Sequence, residues 1–233
     1  VTRFVNLPGA PVLLPRVAGS SDPAAELRAA AREAIAAILP DRGRVIVTAG
    51  GIRTRTWDVA TPYDLGRLLG RSRVERDRTT SSIGDSLPLP LAVARALLGV
   101  DRDRLTLITV ADDSAPPFAE LLDDLGRDDL GDDDLVVTVA DGSALGKAGG
   151  PDVVHPRADE FDRALTEAWL SGQPGRLTAL DSGLAAEVLS NGTAVWRLAA
   201  GIAAQQRGST PYRSRISFAD APFGVYYLIA SWS

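Results

Sequence analysis

Two hydrophobic patterns alternate along the chain, and each predicts a different element. VTRFVNL (1–7) is a short apolar strand ending at Pro8, followed by the proline-rich loop PGAPVLLP (8–15). A helix is predicted from Asp22, a good N-cap, with Pro23 at its first position. It runs to Leu39, places Leu27, Ala31, Ile35 and Ile38 on one face, and is ended by Pro40 and Gly43. RVIVTAGG (44–51) is instead a continuous apolar run closed by two glycines, the pattern of a strand buried on both faces. The alternation recurs, with helices predicted at 90–99 and 116–126 and buried strands at 104–113 and 134–144. Three helices follow, at 157–172, 175–192 and 193–208, and the aromatic-rich run FGVYYLIASW (223–232) closes the chain as a strand.

Strand, helix, strand in repeated order is the grammar of a parallel sheet covered on both sides. The expectation is an α/β protein: a three-layer α/β/α sandwich with a mostly parallel central sheet, formed as a single domain over residues 1–233. Trp169, Trp196 and Trp232 are assigned to packing. The 223–232 strand is expected in the sheet interior, with an edge position that pairs across a homodimer as the alternative. In such folds ligands sit beyond the carboxyl ends of the strands. Here those ends read PGAP, AGG, ADD and ADGSA, and none is a phosphate loop.

Composition narrows the function classes. The chain has no cysteine, which excludes disulfides, thiolate metal ligands and cysteine nucleophiles. A net charge of −5 with no basic stripe argues against nucleic acid as a partner. No apolar run approaches the roughly 20 residues of a membrane helix. The first residues carry no basic segment leading into an apolar stretch, so no signal peptide is read and the cytoplasm is the default compartment. The sparing use of lysine, with one against many arginines, fits a high-GC genome.

Gly84–Leu87 reads GDSL, the signature of a family of serine esterases, and Asp152–His155 reads DVVH. A Ser86–His155–Asp152 triad would need the serine within reach of a histidine that a carboxylate orients. No strand is predicted immediately before Ser86, however, and the chain has no Gly-x-Asn-Asp element for the oxyanion hole. Ser86 therefore reads better as a residue at the start of a helix, and His155, the only histidine, as a loop or capping residue.

The strand ends carry a second resemblance. NLPGAPVLLPRVAG (6–19) resembles the opening of LigB-like proteins, relatives of the class III extradiol ring-cleavage dioxygenases, and VIVTAGG (45–51) resembles their second strand. LVVTVADGSALG (135–146) is similar to the strand that leads to their Ser-His element. HPRADEFDRAL, LDSGLAAEVL, AVWRLAAG and DAPFGVYYLIASW are similar to an uncharacterised actinobacterial branch of that family. The resemblance covers about Asn6 to Trp232. It implies a site at the carboxyl edge of the sheet, where the active dioxygenases hold iron(II) with two histidines and a glutamate. At the corresponding positions this chain has Gly9, Gly50 and Ser143–Ala144. The expectation is therefore a LigB-like protein without the iron site or another cofactor. It would act through a retained cleft lined by Pro8, Gly9, Pro11, Gly50, Gly51, Asp141, Gly142, Ser143, His155 and Asp220. The cleft would take a small molecule or a protein partner, although tight turns explain the glycines equally well. Two alternatives remain: a dioxygenase with a non-standard metal site, and the Ser86 esterase. The strand-end carboxylates Asp112, Asp113, Asp141 and Asp220 could instead hold Mg²⁺ or Ca²⁺.

Overall fold

The apolar runs lie side by side in the computed structural model, which describes residues 1–14, 17, 21–65, 86–111, 116–127, 130–146 and 154–233. The strands are β1 (Arg3–Leu7), β2 (Val45–Gly50), β3 (Arg55–Trp57), β4 (Leu105–Val110), β5 (Leu135–Val139), β6 (Ser214–Asp220) and β7 (Tyr227–Trp232). They form one sheet in the order β3-β4-β2-β5-β1-β7-β6. The four middle strands β4, β2, β5 and β1 are parallel, and β3 and β7 flank them antiparallel. β5 is buried at all five positions, as expected of a strand covered on both faces.

Helices α1 (Ala25–Ile38) and α2 (Leu89–Leu98) share one apolar core with the sheet. On the opposite face lie α3 (Pro116–Arg127), α4 (Ala158–Leu170), α5 (Pro174–Thr178), α6 (Ser182–Glu187) and α7 (Thr193–Arg207). The result is the expected three-layer α/β/α sandwich with a mostly parallel centre. Trp169, Trp196 and Trp232 are fully buried in the second core. No helix among the described residues is long and apolar enough to cross a membrane.

Several local readings change. Asp22 does not cap α1: the N-cap is Ala24, with no side-chain cap bond, and Asp22 instead accepts from the Arg28 guanidinium at 2.5 Å. The helix expected over 175–192 is two short ones, because Asp181 accepts from the Leu184 N–H and so starts a new helix after a break. β3 and β6 were not read from the sequence. β6 is the outer strand beside β7, so the aromatic strand 227–232 is an interior strand and offers no free edge.

Between the two cores, Asn6 of β1 ties the layers together. Its amide nitrogen donates to the carbonyls of Ala140 and Leu228, and its oxygen accepts from Thr138 Oγ1 and Trp196 Nε1. All four hydrogen-bonding positions of a fully buried side chain are satisfied.

Candidate functional site at the carboxyl edge

Parallel register sets the edge. Leu7, Val139, Ala49 and Thr109 are aligned across β1, β5, β2 and β4. The next residues of each strand therefore emerge together, among them Pro8–Gly9, Ala140–Asp141 and Gly50–Gly51. Asp141 is the polar centre of this edge. Its Oδ1 accepts from the Gly9 N–H at 3.0 Å, its own N–H donates to Asn191 Oδ1 at 3.1 Å, and its carbonyl accepts from Ser190 Oγ at 3.0 Å. Asp141 Oδ2 receives no hydrogen bond from any described residue and lies beside Gly9 and Pro90, the latter from α2. Burial pushes the carboxyl up to about 6, only partly offset by the Gly9 N–H. Tyr227, at the start of β7, is pushed up to about 12 by burial and then by the Asp141 charge.

The other expected residues divide into groups. Gly142 and Ser143 are buried and stitch the end of β5 to β7: the Gly142 N–H donates to the Tyr226 carbonyl, and the Tyr226 N–H to the Ser143 carbonyl. Ser143 Oγ donates to Asp162 Oδ2 at 2.5 Å and its N–H to Oδ1 at 2.8 Å, so the side chain is fully occupied inside the fold. Burial raises Asp162 as well, against these two bonds. Pro8 is buried, while Pro11 opens a short 3₁₀ turn and is half-buried. Asp220 ends β6, three strand spacings from β5, or roughly 14 Å.

His155 is half-buried beside the loop that follows β5. Its Nδ1 accepts from the Arg157 N–H at 3.3 Å, and its Nε2 lies 3.7 Å from Glu187. Ser86 precedes α2, and neither imidazole nitrogen bonds it. Gly84, Asp85 and Asp152 lie outside the described residues, as do Asp112 and Asp113.

The iron site implied by the resemblance does not fit these residues. A Cβ on Gly50 would stand 2.7 Å from the backbone oxygen of Asn191, so the space a histidine would need is filled by the loop between α6 and α7. At Gly9 a Cβ would meet Pro90 at 3.3 Å and Asp141 Oδ2 at 3.4 Å. Gly50 therefore opens no empty ligand position, whereas at Gly9 the Pro90 ring would have to give by a few tenths of an ångström. Among the described residues no group of three or more His, Asp or Glu side chains could hold a metal ion. Gly50→Ala is expected to destabilise the fold by about 1–3 kcal/mol, because the clash is with backbone and not with a flexible side-chain tip. A urea melt with an unchanged midpoint would show that the Asn191 loop yields freely.

Sequence reasoning missed Pro90, Ser190, Asn191 and Tyr227. The Ser-Asn-Gly run at 190–192 signals a turn between helices, but nothing in it indicates that the turn folds over β2 and β5. Two surface hollows lie away from this edge. One, of about 340 Å³, is lined by Arg3, Leu39, Pro40, Asp41, Arg42 and Asp133. The other, of about 260 Å³, lies between α4 and the α5–α6 segment. Neither includes a residue of the expected cleft.

Fold and edge together define an α/β sandwich with its polar centre where open sheets carry their ligands. The chain is similar over its whole length to the uncharacterized protein JW3007 from Escherichia coli K12. That crystal structure is also covered in full, with a TM-score of 0.50 and 14% identity. At that identity the likeness concerns the fold alone. No protein-family model matches the chain, and no curated protein matches it in sequence.

Proposed function

We propose that the chain is a LigB-like protein, related to the class III extradiol dioxygenases, that works without their iron and binds a small molecule at the carboxyl edge with Asp141 at its centre. The observation that supports this reading most is the state of Asp141. A half-buried carboxyl with one oxygen unbonded by any described residue, and with no cation among its described hydrogen-bond partners, makes the fold less stable when it ionises. Such groups cluster where a protein uses them. The filled position at Gly50 supports a metal-independent role, since the resemblance would place a histidine ligand there.

The test is metal content. Protein purified without chelators is expected to contain well under one tenth of an equivalent of iron by mass spectrometry of the elements. One equivalent of iron that survives dialysis would overturn the reading.

A further inference from the structure

The hollow between α4 and the α5–α6 segment, about 260 Å³ in volume, joins an apolar floor to two unpaired charges of opposite sign. On α4 its residues recur at helical spacing, Glu160 and Phe161, then Ala164, then Glu167 and Ala168, so they share one side of that helix. The opposite wall is Arg176 of α5, the break at 179–181 and Leu184 of α6. Phe161, Ala168, Leu180 and Leu184 are buried in the core below and still border the hollow. Ala164 is exposed and small, which leaves the space open. Most of the charged groups on the border are already used. The Arg157 guanidinium is held by both oxygens of Glu160, at 2.9 and 3.0 Å, and Asp181 Oδ1 accepts from the Leu184 N–H at 3.0 Å. Glu167 on α4 and Arg176 on α5 differ from these. They stand on facing walls, and neither side chain has a hydrogen bond or ion pair with any described residue.

We propose that this hollow is a binding site, separate from the carboxyl edge, for a zwitterionic small molecule with an apolar side chain: an α-amino acid of about leucine's size. Its carboxylate meets Arg176, its ammonium meets Glu167, and its side chain packs on the floor of Phe161, Ala168, Leu180 and Leu184. The guanidinium fork matches a carboxylate, and charge-assisted bonds are the strong ones. Apolar surface buried on the floor adds to them. The size follows from the volume, because pockets for drug-sized ligands start at roughly 300 Å³ and this hollow is smaller. A simple cation or anion would leave one of the two charges unmet, and a neutral apolar molecule would leave both. The site goes beyond the reading of Asp141, and neither depends on the other.

The probe is L-leucine, titrated calorimetrically into the full chain at pH 7.5. Three analogues each remove one feature: 3-methylbutylamine lacks the carboxylate, 4-methylpentanoate lacks the ammonium, and glycine lacks the side chain. Leucine is expected to bind with a millimolar Kd, and each analogue at least fivefold more weakly. Arg176→Gln and Glu167→Gln are each expected to weaken leucine about fivefold, the scale of a partly exposed ion pair. Arg176→Gln is also expected to bind leucine and 3-methylbutylamine equally, and Glu167→Gln to bind leucine and 4-methylpentanoate equally. A structural role would not produce that matched loss of discrimination. Ala164→Leu is expected to weaken leucine at least tenfold by filling the hollow. All three positions are exposed, so the variants are expected to melt with the parent, and the analogue series needs no variant at all. No saturation by leucine at tens of millimolar, an analogue that binds as tightly as leucine, or parent-like leucine binding by any variant would overturn the inference.

Discussion

Asn6→Leu is expected to cost about 4 kcal/mol and to lower the melting temperature by about 10 °C, the largest effect of any single change considered. Leucine matches asparagine in shape, so the loss is one of polar satisfaction and not of volume. Removing the amide strands Trp196 Nε1–H, weakens the position of Thr138, and leaves the Ala140 and Leu228 carbonyls without that donor. Each buried group left unpaired costs about 1–3 kcal/mol, with carbonyls at the low end because they have two lone pairs. Thr138 keeps an alternative acceptor in the Val5 carbonyl at 3.5 Å, which trims the total. A double-mutant cycle sharpens the test. Trp196→Phe in the Asn6→Leu background is expected to cost less than in the parent, because the indole N–H it removes is already stranded. Equal costs in the two backgrounds would mean that Asn6 and Trp196 do not act as a unit.

This network was invisible in the sequence for a physical reason. Asn6 sits in the apolar run RFVNL, where one polar residue reads as a solvent-facing position of a strand. Its partners come from Thr138 on β5, Trp196 on α7 and backbone on β7, none of them near it in the chain. The parallel strands were legible because burial on both faces writes itself as an unbroken apolar run. β6 was not legible, because SRISFAD belongs to an outer strand with exposed positions, and a register shift between Ile216 and Phe218 breaks its alternation. The candidate site divides the same way. Gly9, Gly50 and Asp141 could be read as strand ends. That the Asn191 backbone fills the space at Gly50 could not, since it depends on where α6 stops. α6 ends at Glu187, and the left-handed turn just past it falls on Leu189, a residue whose type gives no helix-ending signal.

Asp141→Asn is expected to stabilise the protein by about 2 kcal/mol at pH 7.5, a gain of about 5 °C, and the gain is expected to vanish on acidification. The sign follows from the proton balance. In the folded chain the carboxyl holds its proton up to about pH 6, whereas an unfolded aspartate releases it near pH 3.9. Between those values the folded state binds more protons than the unfolded one, so the parent loses stability as pH rises and reaches its full loss above the folded value. Below about pH 4 both states are protonated and the carboxyl costs nothing. A shift of two units corresponds to nearly 3 kcal/mol, and access of water to the half-buried edge reduces it to about 2. The amide retains the acceptor for the Gly9 N–H and never ionises, so parent and variant should melt together near pH 4 and separate steadily towards pH 7. Tyr227 does not enter this window, because its proton is held to about pH 12. If the separation were constant from pH 4 to pH 8, the carboxyl would not be titrating where its surroundings place it. A pH-dependent gain would mean that the fold gives up stability to keep an ionised oxygen at the carboxyl edge.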